Sequence, residues 1–171
     1  MTAQQKATSS RTGFSFPSGI SRGLWLAAFL VLVVGGGTLI GSLTSPGPWY
    51  ASLQKPSFNP PNWVFGPVWT VLYVLIAVAG WRAWRTGSGM LQGLWWLQLA
   101  LNFLWNPVFF AAHRIDLALA VIVLLLASIA GFMTMAFRQD RTSFALFVPY
   151  VLWVGFATLL NGAFYVLNGA G

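Results

Sequence analysis

Five apolar stretches separated by short polar connections dominate this chain: 24–43, 63–84, 90–112, 117–137 and 144–166. A hydrocarbon core about 30 Å thick is spanned by about 20 helical residues rising about 1.5 Å each, so stretches of this length are matched to a bilayer. Runs such as LALAVIVLLLASIA (117–130) are apolar on every side instead of alternating with a period of two, which excludes barrel strands and leaves helices. Only 6% of the 171 residues are charged, against about 25% in soluble domains. A water-soluble globule is excluded. The expected fold is an all-α membrane protein, a bundle of five transmembrane helices forming one domain over 23–171.

Nine Lys and Arg stand against two acids, a net charge of +7. In a soluble protein this would suggest nucleic acid, but here the cations form no stripe or cluster and flank the apolar stretches, so no nucleic-acid partner is expected and the partner is the lipid membrane. Lys and Arg accumulate on the cytoplasmic side. Lys6, Arg11, Arg22, Arg82, Arg85, Arg138 and Arg141 fall on one face of a five-span arrangement, and Lys55 and Arg114 on the other. The N-terminus is therefore expected inside and the C-terminus outside. Residues 1–22 are polar, rich in Ser and Thr and without an apolar face, and read as a disordered cytoplasmic tail. A cleaved signal peptide is the competing reading; against it, the apolar run continues through Thr38 to Leu43 as a full span.

The first connection and the start of the second helix read KPSFNPPNWVFGPVW, Lys55 to Trp69. Pro56, Pro60 and Pro61 hold the residues before them extended, Asn62 is placed to cap the helix, and Pro67 falls in its first two turns, where a lost backbone bond costs least. Irregular backbone at membrane depth must be buried in protein or face a water-filled cavity. Lys55, Pro56, Phe58, Pro60, Pro61 and Trp63 thus make a stiff lid over the bundle or, alternatively, an interfacial connector anchored by Trp49 and Trp63 in an aromatic belt.

In the third stretch Gln98, Asn102, Trp105 and Phe109 share one helical stripe. Amides are costly in hydrocarbon unless bonded, so this stripe faces inward, either as interhelical glue worth about 0.6 to 2 kcal/mol per contact or as a ligand wall. Trp69, Tyr73, Ile76 and Gly80 repeat the spacing on the second helix, and Trp153, Ala157, Leu160 and Phe164 share a side of the fifth. Such faces suit a flat apolar ligand, since offset ring stacking is worth about 0.5 to 1.5 kcal/mol per pair beyond burial; an aromatic core with no ligand fits the same spacing. The small-xxx-small pairs Gly37/Gly41 and Ala127/Gly131 fit packing within the bundle or a homodimer equally well.

Chemistry-bearing side chains are scarce. There is no Cys; the acids are Asp116 and Asp140 and the single His is His113, all at helix ends. No internal base, nucleophile pair or metal cluster is present, so conventional catalysis and a metal site are not expected. His113, beside Arg114, is an interfacial loop residue or a ligand to haem iron.

Three segments, WYASLQKPSFNPPNWVFGPVWTVLY from Trp49, QLALNFLWNPVFF from Gln98 and PYVLWVGFATLLN from Pro149, together resemble the TspO/MBR family of tryptophan-rich sensory and translocator proteins, from about Gly41 to Asn161. The resemblance implies five membrane helices around a pocket closed by the first loop, binding porphyrins such as protoporphyrin IX and haem, benzodiazepine-type drugs and, in animals, cholesterol. By motif position it implies Trp69 and Trp153 as the residues tied to porphyrin binding and light-dependent porphyrin breakdown. Asn102 and Trp105 match pocket positions, Ala157 the small residue one turn past Trp153, and Tyr50 the Tyr of the pair that opens the loop. No cofactor is obligatory, the porphyrin being the ligand, and the bacterial cell membrane is the implied location. Phe103 stands where many members carry a second Trp. No Lys or Arg follows Tyr165, so the animal-type cholesterol motif is incomplete.

The expected function is a tetrapyrrole-binding membrane sensor or regulator that supports light-dependent porphyrin degradation, with a porphyrin or sterol transporter as the alternative. Light chemistry asks little of the chain, because the porphyrin absorbs the photon while Trp69 and Trp153 hold it and exchange electrons. Coupled transport lacks its usual signs, which are mid-membrane charge and inverted repeats. Alkaline phosphatase folds actively only outside the cytosol; fused to the C-terminus it is expected to be active, and fused after Thr86 inactive. The reverse pattern overturns the orientation.

Overall fold

The computed structural model describes residues 22–169, and among these all regular structure is helical. The tail reading for 1–22 falls, but for Arg22, outside the described residues. Helix α1 (Arg22–Leu30) passes through a π-helical turn (Val31–Gly35) into α2 (Gly36–Leu43). Leu30 (φ −63°, ψ −46°) and Gly36 (φ −61°, ψ −47°) keep helical backbone at both joints, so the three pieces form one rod. A short helix α3 (Pro48–Ser52) lies in the first connection. Then come α4 (Asn62–Thr86), α5 (Gly89–Asn106) with a second π turn (Pro107–Ala111), α6 (Ile115–Gln139) and α7 (Arg141–Asn168).

Local chemistry explains the joints. Gly87, at φ +69°, ends α4 in the left-handed region that glycine enters without steric cost. Ser88 then caps α5 by accepting from the Leu91 N–H at 3.4 Å. Pro107 has no N–H to continue the α5 ladder, and the chain widens so that the Ala112 N–H reaches the Pro107 carbonyl at 2.8 Å. The cap assigned to Asn62 is corrected: Pro61, extended at φ −57° and ψ 141°, holds the N-cap position, and no side chain caps α4. Fixed φ at Pro61 already orients the entry, and Asn62 becomes the first helical residue.

The rods close a ring. The α1–α2 rod packs on α4 and α5, α4 on α7, α7 on α6, and α6 on α5. Among the described residues four helices are long and apolar enough to cross a membrane: Arg22–Leu43, Asn62–Thr86, Ile115–Gln139 and Arg141–Asn168. The five-span expectation is thus met in part. Helix α5 is of comparable reach but carries Gln92, Gln98, Asn102 and Asn106, which dilute its apolarity. Leu43, Leu152, Leu159 and Val166 stand far out from the ring, as suits contact with lipid.

Inside, α4 and α5 meet closely because Gly80 lacks a side chain: a Cβ there would collide with the indole of Trp95. Trp95 is fully buried and donates through Nε1 to the Ile76 carbonyl at 3.0 Å. Phe29 and Trp84 set their ring edges against it at 5.1 and 5.6 Å. Gly37 and Gly131, from the two small-residue pairs, are used within the bundle, against Tyr73 and Leu94. Both acids are paired at helix ends. Asp140 receives Arg82 Nη2 at 2.7 Å and Nε at 2.9 Å and Ser143 Oγ at 2.7 Å, tying α4 to the α6–α7 joint. Burial works against the Asp140 charge, but these bonds outweigh it and hold the carboxyl below its usual range. Asp116 pairs with Arg114 at 2.7 Å.

Gly80→Val forces α4 away from Trp95, an overpacking cost of about 1 to 3 kcal/mol. Its thermal midpoint in detergent is expected several degrees below wild type; an unchanged midpoint contradicts the packing described.

Candidate ligand pocket

All five rods contribute to one cavity of about 540 Å³. From α2 come Gly37, Thr38 and Gly41. Helix α4 supplies Asn62, Phe65, Gly66, Trp69, Thr70 and Tyr73. Asn102, Trp105 and Asn106 come from α5, Phe109 and Phe110 from the π turn, and Ile122 and Leu125 from α6. Helix α7 contributes Trp153, Val154, Ala157, Leu160, Asn161 and Phe164, and the first connection adds Thr44, Pro46 and Tyr50. No charged side chain is among these described lining residues.

Aromatic rings give the wall its shape. Trp105 stacks on Phe109 at 5.1 Å and 22°, and Trp69 leans on Tyr73 at 5.3 Å. Trp153 takes the edge of Phe65 at 5.8 Å. Two hydrogen-bonded groups fix the polar positions. Trp105 Nε1 donates to Asn161 Oδ1 at 3.0 Å, and Asn161 Nδ2 donates to the Ile115 carbonyl at 3.1 Å, so one amide joins α5, α6 and α7. Deeper in, Asn102 Nδ2 donates to the Tyr150 hydroxyl at 2.9 Å and that hydroxyl donates to Gln98 Oε1 at 3.0 Å. The Trp153 Nε1 and Asn102 Oδ1 atoms are buried without partners.

Of the ten residues expected at a ligand site, Tyr50, Trp69, Tyr73, Asn102, Trp105, Phe109, Trp153, Ala157 and Leu160 line this cavity. Gln98 does not. It is fully buried behind the wall, its Nε2 donating to the Trp95 carbonyl at 2.9 Å. The stripe puts it on the right face of α5, but its oxygen is taken by the hydroxyl of Tyr150, which is also fully buried and outside the lining. None of Lys55, Pro56, Phe58, Pro60, Pro61 and Trp63 touches the cavity, and Trp63 points away, 75% exposed. The first connection reaches the wall instead through Thr44, Pro46 and Tyr50. Its far part is held elsewhere: Gln54 and Asn168 exchange hydrogen bonds at 2.8 and 3.0 Å, Lys55 Nζ donates to the Tyr50 and Ala51 carbonyls, and Phe58 meets Phe156 at 6.3 Å. Burial pushes the Tyr50 hydroxyl above its usual pKa, against a lowering bond to Asn59. His113 stacks on Trp49 at 4.3 Å outside the cavity, with its backbone at φ +56°.

Sequence reasoning missed Asn161 and Tyr150 as individual sites. Both lie in the PYVLWVGFATLLN segment, Tyr150 one turn before Trp153 and Asn161 one turn after Ala157, so helical spacing was the available signal. Outside the ring a second depression between α4 and α7 is lined by Pro67, Val68, Val71, Leu72, Pro149, Leu152, Trp153 and Phe156. Trp153 belongs to the walls of both.

The chain is similar in sequence to known proteins. A family model described as the TspO/MBR family matches residues 28–167. Protein CrtK of Rhodobacter capsulatus is similar, at 38% identity over 85% of this chain and 92% of its own length. The tryptophan-rich sensory protein of Cereibacter sphaeroides is 44% identical over 71% of this chain and 77% of its own. The human translocator protein is 42% identical over 66% of this chain and 70% of its own.

Asn161→Leu leaves the Trp105 N–H without an acceptor in an apolar wall, at a cost of about 1 to 3 kcal/mol. A lowered thermal midpoint and a changed environment in the Trp105 indole NMR signal are expected; wild-type values for both contradict the bridging role of Asn161.

Proposed function

The chain belongs to the TspO/MBR family and is an integral membrane protein; on that premise we propose that it binds a tetrapyrrole, protoporphyrin IX or haem, in this cavity and acts as a membrane sensor or regulator of it. The observation that carries the reading is an uncharged cavity of about 540 Å³ walled by Trp69, Trp105 and Trp153. Its size falls within the about 300 to 1,000 Å³ of small-molecule sites, and its rings suit a planar apolar ligand. With no cation in the wall, the carboxylates of a tetrapyrrole stay at the mouth, in contact with water.

In this reading all five rods cross the membrane, N-terminus inside and C-terminus outside. Helix α5 crosses because Gln98 and Asn102 have bonding partners within the bundle. The first connection acts as the lid through Pro46 and Tyr50, with the Gln54–Asn168 clasp holding its far end to α7. Light absorbed by the bound porphyrin drives its oxidative breakdown with dissolved dioxygen as the oxidant, Trp69 and Trp153 standing beside the excited ring as neighbours able to exchange electrons with it.

One observation favours a second reading, passage of the ligand between cavity and bilayer: Trp153 is shared by the inner cavity and the outer depression. The name of the human relative, translocator protein, points the same way. Such passage would be passive, because no charged group in the described wall is placed to couple an ion.

Titration of the purified chain with protoporphyrin IX is expected to quench tryptophan fluorescence saturably, and Ala157→Phe, which puts a ring into the cavity, to abolish the saturable part. Trp69→Phe combined with Trp153→Phe should keep binding but slow light-driven loss of the porphyrin band severalfold. Absence of wild-type binding sinks the reading; unchanged photobleaching in the double variant sinks only the role of the two tryptophans.

A further inference from the structure

Asn102 lines the cavity, is 4% exposed, and has a carbonyl oxygen with no partner. The other deep cavity amide, Asn161, has both its oxygen and its nitrogen engaged. The orientation of Asn102 is dictated step by step from behind the wall. The Trp95 carbonyl can only accept, so Gln98 must turn its nitrogen to it, at 2.9 Å, and its oxygen to Tyr150. The single Tyr150 proton is thereby committed to Gln98, at 3.0 Å. Tyr150 is left only as an acceptor for Asn102, which must give it the nitrogen, at 2.9 Å, and keep the oxygen free. Reversing any one amide places two acceptors face to face and loses a buried hydrogen bond, at a cost the apolar surroundings raise.

From this one-way relay we propose that the deep end of the cavity selects ligands presenting a neutral hydrogen-bond donor, an N–H or O–H, to Asn102 Oδ1. The ligand class is a planar, uncharged ring system with such a donor on its leading edge. An acceptor-only edge meets a lone pair and is disfavoured. An ionised carboxylate meets the same oxygen and finds no cation in the wall. Tyr150 and Gln98 are positioning residues, acting on the ligand through Asn102. The inference rests on the reading of this cavity as a ligand site and adds a second ligand class to it, because protoporphyrin IX with its carboxylates at the mouth carries no N–H or O–H on its inner edge.

The test uses a matched neutral pair, phenanthridinone, a flat tricyclic lactam with one ring N–H, and N-methylphenanthridinone. Equilibrium dialysis is run against nanodiscs carrying the full chain, with empty-disc partition subtracted. Wild type is expected to bind the N–H form about tenfold more tightly, as for one buried hydrogen bond. In Asn102→Leu the ratio should fall to near one with the N-methyl form still bound. Tyr150→Phe frees the Asn102 amide to turn, so the ratio should fall there too while N-methyl binding holds or rises. A wild-type ratio near one, no saturable binding of either lactam, or an unchanged ratio in Asn102→Leu, which would mark mere crowding by the methyl group, overturns the proposal. Protoporphyrin titration of the same discs separates the two claims. Porphyrin binding without lactam selectivity leaves the tetrapyrrole reading standing alone, and lactam selectivity without porphyrin binding does the reverse.

Discussion

Hydrogen bonds between amides and aromatic hydroxyls or indoles, made among buried and half-buried side chains, hold α5 in its place. At three levels this helix is tied to its neighbours: Trp95 to the Ile76 carbonyl of α4, Asn102 and Gln98 to Tyr150 of α7, and Trp105 to Asn161 of α7, which continues to Ile115 of α6. Each unpaired group would cost several kcal/mol in hydrocarbon, so these bonds fix which face of α5 turns inward. The same constraint explains how the least apolar of the long helices sits in a ring whose other members are sheathed in Leu, Val and Phe.

With α5 fixed, the cavity follows from what the neighbours cannot fill. Gly37 on α2 admits the Tyr73 ring, while Gly41 on α2 and Ala157 on α7 withhold side-chain volume from the cavity they line. Below it, Gly80 lets Trp95 fill the space between α4 and α5 completely. Small residues therefore serve two ends in one bundle, a sealed half and a hollow half. The π turn at Pro107–Ala111 carries Phe109 and Phe110 to the wall, where they meet Tyr50 of the first connection at 6.4 and 5.4 Å. A proline that removes one helical hydrogen bond thus helps close the end of the cavity.

Much of this was legible in the sequence, because hydrophobic length and helical spacing are physical signals that a bilayer enforces. The stripe on α5 and the matching faces on α4 and α7 pointed to nine of the residues that meet around the cavity. Gln98 shares the face but not the cavity, because periodicity gives a face and not a depth: one turn before Asn102, it bonds the Trp95 carbonyl and the Tyr150 hydroxyl, and neither residue lines the cavity. The proline-rich segment was legible as irregular backbone, but which of its residues reach the wall depends on the fold-back of α3, and that is set by contacts of Tyr50 with Phe109, Phe110 and Phe164 distant in sequence. The ten tryptophans divide by environment in a way composition could not show. Trp95 is sealed core, Trp63 and Trp96 face outward, and three stand in the cavity wall.

The central claim is spatial: a planar ligand enters the hollow half of the ring and meets those three indoles. Indole N–H signals in an NMR spectrum of the 15N-tryptophan-labelled chain in micelles read this directly, because the ring current of a porphyrin moves only nearby protons. On adding protoporphyrin IX, the signals of Trp69, Trp105 and Trp153 are predicted to shift strongly while those of Trp63, Trp95 and Trp96 hold. Large shifts at Trp63 or Trp96 with the three wall indoles unmoved would place the ligand outside the ring and contradict the account.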